Sequence, residues 1–281
     1  MTDRKDPAAI DQLMAEEVPG DSRQARQLAR RQMIAEAVME AGTMRIEDLA
    51  ARYDISLMTA HRDLDDLAER GLLRKTRGIV SAAPTSLIEA SDVYRAVRQS
   101  EEKAAIAAAA LEFVEPGQAI FMDDSTTVGQ MAPLLAAKTP LTVITNSLRL
   151  MTELSDVRDV TLLGLGGQFH KWCHAFMGRM TTNEIGRLRA DTLFMSISAI
   201  IDDIVFHQSP EMVDTKRAMF DSAKRRILLA DHTKFERRAL HGLVALRDFD
   251  AVIVDEKTPA FHLERIRAGG AEVVVAPLRR A

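Results

Sequence analysis

Ile55-Ser56-Leu57-Met58-Thr59-Ala60-His61-Arg62-Asp63-Leu64-Asp65-Asp66-Leu67-Ala68-Glu69-Arg70-Gly71 reads as one amphipathic helix. Ser56 suits the N-cap, because its hydroxyl can accept from an orphan backbone N–H two or three residues on. Gly71 suits the stop, because glycine enters the left-handed conformation without a Cβ clash. Ala60, Leu64, Leu67 and Ala68 recur at the spacing of a buried stripe, and Thr59, His61, Arg62, Asp65 and Asp66 fall on the other face. A helix that reads DNA presents its N-terminal residues to base edges in the major groove. Here those early positions hold Ser56, Thr59, His61 and Arg62, while the acids, which would repel phosphates, come later.

Just upstream, residues 46–53 form a second short helix with Glu47 and Asp48 in its first turn, where they complement the helix dipole. Asp54 and Ile55 make the turn, so helix, turn and helix follow at helix-turn-helix size. Further upstream, Ser22 opens a longer helix whose stripe of Leu28, Arg31, Ile34, Ala35, Val38 and Met39 runs to Gly42. Arg23, Arg26 and Arg30 flank that stripe, as phosphate-holding residues do beside a reading helix; a solvated basic face is the alternative. Residues 1–21 are polar, contain Pro7, Pro19 and Gly20, and are expected to be a mobile tail. Downstream, Leu72-Leu73-Arg74-Lys75-Thr76-Arg77-Gly78-Ile79-Val80 places apolar pairs around a basic tip, the pattern of a small β-wing. Arg74, Lys75 and Arg77 are candidates for the DNA backbone. A small helical dimerisation module is the competing reading of this front unit.

The whole-chain net charge of −4 conceals this basic front. The length of 281 residues fits two domains, and a hydrophobic share of 47% excludes a largely disordered chain. A single cysteine, Cys173, excludes an internal disulfide, so no oxidising compartment is needed. No apolar run reaches the roughly 18–20 residues of a membrane span, and the N-terminus lacks the apolar core of a signal peptide. The expectation is a cytoplasmic protein without a membrane partner. It divides into a tail at 1–21, a winged helix-turn-helix at 22–83, a linker at 84–99 that includes a helix, and an effector-binding domain at 100–281.

From Ser100 the pattern changes. Ala105, Ile106, Ala109, Ala110 and Phe113 give a helix its buried face. Strands then alternate with helices: strands at 119–122, 141–145, 160–165, 193–198, 227–230, 251–254 and 273–276, with helices at 128–137, 148–154, 213–223 and 261–268. Near-continuous apolar strands separated by helices indicate an α/β domain with a mostly parallel sheet covered on both faces.

In such sheets ligands bind beyond the carboxyl ends of the strands. The first strand runs into Asp123-Asp124-Ser125-Thr126-Thr127 and then a helix, whose free N–H groups and hydroxyls suit an anion. The second runs into Thr145-Asn146-Ser147, the third into Gly164-Leu165-Gly166-Gly167, and a later one into Asp231-His232-Thr233-Lys234. Lys216 lies early in the helix after Pro210. Each residue alone could be a cap or turn residue; together, hydroxyls, Asn146, Gly166, Gly167, Lys216 and Lys234 at one edge suit a phosphorylated sugar or polyol. Asp123 and Asp124 could accept from its hydroxyls. His170, Cys173 and His174 have the look of a metal trio, but four ligands, or three of defined geometry, are required. A loop lining the pocket, walled by Trp172, is the preferred reading, with no metal and no cofactor.

These motifs together resemble the DeoR family of transcriptional regulators, over roughly residues 26–276. The front motif is Ile55-Ser56-Leu57-Met58-Thr59-Ala60-His61-Arg62-Asp63-Leu64, followed by Leu67, Gly71-Leu72-Leu73 and a basic residue. The family's Arg-Arg pair is His61-Arg62 here, its second wing glycine is absent after Gly78, and its usual pocket glycine is Ser125. The family's glycine-rich segment after the 193–198 strand is Ala199-Ile200-Ile201-Asp202-Asp203. The resemblance implies an effector domain related in fold to ribose-phosphate isomerases and CoA transferases. It also implies a homo-oligomer, dimer or tetramer, repressing a carbohydrate-use operon through double-stranded operator DNA. The competing function is a sugar-phosphate isomerase or transferase, with Asp123, Asp124 or Asp231 as base, but no base-and-acid pair stands out and the front module would be unexplained.

Overall fold

The computed structural model describes residues 23–70, 72–81, 89 and 92–278. The chain falls into two compact units, Met1–Arg98 and Gln99–Ala281. The tail expected at 1–21, the helix start at Ser22 and the stop at Gly71 lie outside the described residues.

In the first unit, α1 (Arg23–Ala41) is followed by β1 (Thr43–Arg45), α2 (Ile46–Arg52), α3 (Leu57–Glu69), β2 (Arg74–Thr76) and β3 (Ile79–Ser81). Ile34, Ala35 and Val38 of α1 meet Ile46, Leu49 and Ala50 of α2 and Ala60, Leu64 and Leu67 of α3 in one core, closed below by Leu72, Leu73 and Val80. The wing is a three-stranded antiparallel sheet in the order β1-β3-β2. Arg77 and Gly78 turn it with φ of 50° and 78°. Two consecutive positive φ values match the right-handed twist of a two-residue hairpin. The helix expected within the 84–99 linker is, among described residues, α4 (Asp92–Val97).

The second unit opens with α5 (Ser100–Ala110) and is built on seven parallel strands in the order β15-β14-β12-β9-β4-β5-β6. These are β4 (Ala119–Met122), β5 (Leu141–Thr145), β6 (Val160–Gly164), β9 (Ala190–Met195), β12 (Ala223–Ala230), β14 (Ala251–Asp255) and β15 (Glu272–Ala276). One face packs Phe121, Leu193, Met195, Leu228 and Val252; the other packs Ile120, Met122, Phe194, Ile227 and Ile253 against α5. Side chains alternating across the pleat, apolar on both faces, explain the continuous hydrophobic strands. The helix expected at 128–137 is instead one turn, α6 (Thr126–Gly129), and a 3₁₀ segment, Ala132–Lys138. Pro133 near its start removes a backbone donor that a regular helix would use.

Two small antiparallel sheets escaped the sequence reading. One is the hairpin β7 (Gln168–His170) and β8 (Ala175–Met177). The other orders β10 (Ala199–Ile201), β11 (Ile204–His207) and β13 (His241–Ala245), with Asp202 and Asp203 turning at φ of 48° and 61°. The departure from a glycine-rich segment is thus a hairpin turn in which two aspartates take the left-handed conformation, which Asp tolerates better than most residues. The remaining helices are α7 (Leu148–Leu154), α8 (Arg179–Gly186), α9 (Pro210–Asp221) and α10 (Ala260–Ala268).

Candidate nucleic-acid interface and ligand site

At the start of α3, Ser56 Oγ accepts from Thr59 N at 3.2 Å and lies 2.9 Å from Thr59 Oγ1. These two residues cap the helix, which fixes its entry. His61 and Arg62 are exposed on the next turn, and Arg77 is exposed at the wing tip. Arg74 and Lys75 are engaged inside the module. Arg74 Nη1 donates to Glu89 O at 2.9 Å, and Lys75 Nζ meets Asp65 Oδ1 at 2.5 Å and His61 O at 3.5 Å. β2 lies along α3, so the Lys75 side chain folds back onto an acid and a carbonyl of that helix.

The arginines beside α1 are also redirected. Arg30 Nε donates to Asp63 Oδ2 at 2.6 Å and Arg31 Nε to Asp63 Oδ1 at 3.0 Å; Arg31 Nη1 reaches Asp66 at 2.8 Å. Asp63 is buried at 1% exposure, so its charge requires these partners. Arg30, which the sequence offers either as a phosphate contact or as part of a solvated basic face, instead ties α1 to α3. Arg26 is exposed, and the Arg23 side chain lies outside the described residues.

The sequence reading missed Leu57 and Met58. They are 49% and 66% exposed on the first turn of α3. Met58 precedes His61 and Arg62 by three and four positions, so all three share a face. Apolar groups there match the methyl that marks thymine in the major groove.

In the second unit the chain moves outward from β4 in two directions, through β5 and β6 on one side and β9 and β12 on the other. The crevice beyond the carboxyl ends of β4 and β9 is thus a topological switch point, where open α/β sheets hold ligands. Asp123, Asp124, Ser125, Thr126 and Thr127 stand there, all buried. Asp123 Oδ1 accepts from Ser125 N at 2.9 Å and from Ser125 Oγ. Its Oδ2 accepts from Ser196 N at 2.9 Å and from Lys216 Nζ, which reaches across from α9. Lys216 Nζ also lies 3.7 Å from Asp124 Oδ1. Asp123, expected to accept from sugar hydroxyls, is instead saturated by the protein: it binds the β4 loop, the end of β9 and α9 into one frame.

On the next strand out, Asp231 follows β12. Its Oδ1 accepts from Thr233 N at 3.1 Å and from Thr233 Oγ1, while Oδ2 is buried without a hydrogen-bond partner. Lys234 Nζ, also buried, is 3.8 Å from that oxygen. Burial would raise the Asp231 carboxyl, yet Lys234, the Thr233 bond, Arg237 and Lys103 together hold it below the ordinary aspartate value. Lys103 was not singled out in the sequence, but the signal is there. It precedes Ile106, Ala107 and Ala110 by three, four and seven positions, and it is 3% exposed on their buried face.

At the end of β5, Asn146 Nδ2 donates to Phe176 O at 3.0 Å while Phe176 N donates to Asn146 O at 2.9 Å. Ser147 Oγ caps α7 through Leu150 N. These two residues dock the β7–β8 hairpin; Asn146 Oδ1 is buried and has no hydrogen-bond partner. Gly166 is exposed, and its carbonyl accepts from Thr181 Oγ1 at 2.8 Å. Gly167 (φ 150°) allows close approach as expected of a glycine, but to the protein: a Cβ there would stand 2.1 Å from Thr181 Oγ1 and 2.8 Å from Met177 O. In the hairpin loop, Cys173 is buried beside Trp172, Ala175, Met177 and Met212, with Sγ 3.6 Å from His170 O. Among the described residues no three His, Cys, Asp or Glu side chains gather as a metal cage would require, and no helix is long and apolar enough to cross a membrane.

Comparison with known proteins gives two matching profiles. A DeoR-like helix-turn-helix domain matches residues 30–85, and a DeoR C terminal sensor domain matches residues 98–256. The chain is similar to the glycerol-3-phosphate regulon repressor of Escherichia coli strain K12, at 30% identity over 83% of this chain and 93% of that protein. It is similar to the lactose phosphotransferase system repressor of Lactococcus lactis subsp. lactis, at 31% identity over 79% of this chain and 89% of that one. The transcriptional repressor AccR of Agrobacterium fabrum strain C58 is 29% identical over 82% of this chain and 90% of its own. Among solved structures, ribose 5-phosphate isomerase A from Neisseria gonorrhoeae matches 48% of this chain and 53% of its own at 15% identity and a TM-score of 0.35, and nothing is concluded from it.

Proposed function

The chain belongs to the DeoR family of helix-turn-helix transcriptional regulators, and from that premise we propose that it represses a carbohydrate-use operon and is released from its operator by a phosphorylated sugar or polyol. The observation that carries the effector half is the placement of buried Lys216, paired with Asp123, and buried Lys234, beside Asp231, with hydroxyls of the β4 loop, beyond the carboxyl ends of β4 and β12, which flank β9. Cations and hydroxyl donors in a dry crevice suit a phosphoryl group more than a neutral sugar. The names of two relatives, repressors of a glycerol-3-phosphate regulon and of a lactose phosphotransferase system, support that class. On the DNA side, His61 and Arg62 present exposed donors near the α3 N-terminus, and Arg77 presents another at the wing tip. One such helix spans few base pairs, so two copies bind paired half-sites. The effector acts by binding the released state more tightly than the DNA-bound state.

The test pairs two measurements on the full chain. Duplexes selected from a random-sequence pool are titrated by fluorescence anisotropy at several salt concentrations. A panel of phosphorylated sugars and polyols is screened by thermal shift, because a ligand of the native state raises Tm by mass action. The expected result is one preferred duplex, affinity falling with salt, and at least one phosphorylated compound that raises Tm, weakens DNA binding and loses its effect in Lys234→Ala. Absence of any duplex preference overturns the regulatory reading, and a flat Tm profile overturns the effector reading.

A further inference from the structure

Asp123, Asp231 and Asp255 each end a strand of the parallel sheet, and each carboxylate turns back to hold its own loop. Asp123 spends both oxygens on protein donors, as described above. Asp255 does the same: Oδ1 meets His232 Nδ1 at 3.0 Å and accepts from Lys257 N at 3.0 Å, and Oδ2 accepts from His232 N at 2.7 Å. Asp231 differs. Its Oδ1 holds Thr233 twice, while Oδ2, in a side chain 1% exposed, accepts no hydrogen bond. Lys234 Nζ at 3.8 Å lends charge but stands beyond hydrogen-bonding length. A buried charged oxygen left in that state is costly, and such atoms mark places where a further group belongs.

We propose that Asp231 Oδ2 is the hydroxyl-reading point of the effector site, accepting from a ligand hydroxyl near the phosphoryl group that Lys234 holds. The proposal rests on the phosphorylated-effector reading above and narrows it. An anionic oxygen cannot sit on Oδ2, because both are acceptors of like charge. A hydroxyl can, because it donates to Oδ2 while its neighbour takes the ammonium. Oδ2 and Lys234 Nζ stand 3.8 Å apart, so at about 2.7–2.9 Å for each hydrogen bond one small ligand can engage both. The class selected is a phosphate ester that also bears a hydroxyl. Esters that lack it bind more weakly, because they leave the Asp231 acceptor as unpaired as it is in the free protein and gain nothing there; a site built around a hydroxyl discriminates strongly on this basis.

Asp231→Asn tests it. The amide oxygen can still hold Thr233, while an amino group replaces the open acceptor, so the loop is kept and the hydrogen-bond sense is reversed. Thermal shift on the full chain is read with inorganic phosphate, with the phosphorylated panel, and with the matching deoxy ester of each compound that responds. The expected result is at least a tenfold loss of apparent affinity for the hydroxyl-bearing ester in Asp231→Asn, with the inorganic phosphate response changed less than twofold. In the unsubstituted protein the deoxy ester should bind at least tenfold more weakly than its parent, a comparison that needs no variant. Equal binding of parent and deoxy ester, or an unaltered ester affinity in Asp231→Asn, overturns this assignment and leaves the effector reading standing. A native protein that responds to no phosphorylated compound overturns both.

Discussion

Asp63 on α3 accepts from Arg30 Nε on α1 at 2.6 Å, across 33 residues of sequence. The bond is one half of a bridge whose other half is Arg31, so the reading helix is held by two cations at a buried carboxylate. Asp63→Ala should lower the stability of the helix-turn-helix unit by about 1.5–3 kcal/mol, the usual worth of a hydrogen bond to a charged group. Urea unfolding followed by far-ultraviolet circular dichroism measures it. Unchanged stability would show that the bridge does not tie α1 to α3 and would return Arg30 to the phosphates.

Met58 offers a test of how bases are read. Placed against a thymine methyl, it would bury on the order of 40 Å² of apolar surface, worth about 1 kcal/mol. The full chain should bind its selected duplex more weakly once thymine is replaced by uracil at the contacted step, and Met58→Ala should bind both duplexes alike. Met58→Ala should leave Tm unchanged, since the side chain is 66% exposed. A methyl effect that survives in Met58→Ala removes Met58 from the interface.

Gly167 is a packing glycine. Gly167→Ala places a methyl 2.1 Å from Thr181 Oγ1 and 2.8 Å from Met177 O. Overpacking of this kind costs about 1–3 kcal/mol. Adding Thr181→Ala should recover only part of that loss, because the Met177 carbonyl belongs to the backbone and stays. Differential scanning calorimetry on the single and double variants separates the two contacts; full recovery would exclude the backbone clash.

His262 sets a pH dependence. Burial and the Arg265 charge hold its pKa below the ordinary 6.5, and the ring stacks on Phe235 at 4.2 Å and packs against Phe261 at 3.8 Å. Below pH 6.5 the unfolded chain binds this proton more readily than the folded one, so stability rises with pH there. The contribution is present above 6.5 and is lost as pH falls through the lower folded value. His262→Phe, which keeps an aromatic ring, should flatten the Tm profile on the acid side of 6.5; an unchanged slope would assign that pH dependence elsewhere.

Much of the fold is legible in the residues because it depends on periodicity. Ala60, Leu64 and Leu67 recur at helical spacing, and the recurrence alone identifies a buried stripe. The apolar strands of the parallel sheet stand out because both their faces are covered. Short strands without a marked turn between them were not legible. Strands β7, β8 and β10 are too short to show alternation, and they exist through pairing with partners that local sequence does not name. On α5, Ile106 and Ala110 are buried as expected, but Ala105 and Ala109 are half-buried and the face is completed by Ala107, Glu102 and Lys103, which the reading did not name.

The sequence by itself determined the order of modules, the cap at Ser56, the turn residues of the wing and the set of polar residues at the strand ends, because each follows from backbone propensity or spacing within a few positions. Only the tertiary structure decided how those polar residues are used. Asp123 and Asp231 look alike in the chain, each an aspartate two residues before a hydroxyl after an apolar strand. The first is saturated by Ser196 N and Lys216, which come from 73 and 93 residues away; the second keeps an open acceptor. Whether a carboxylate is spent or available depends on which distant donors the folded chain brings within 3 Å, and no local pattern encodes that.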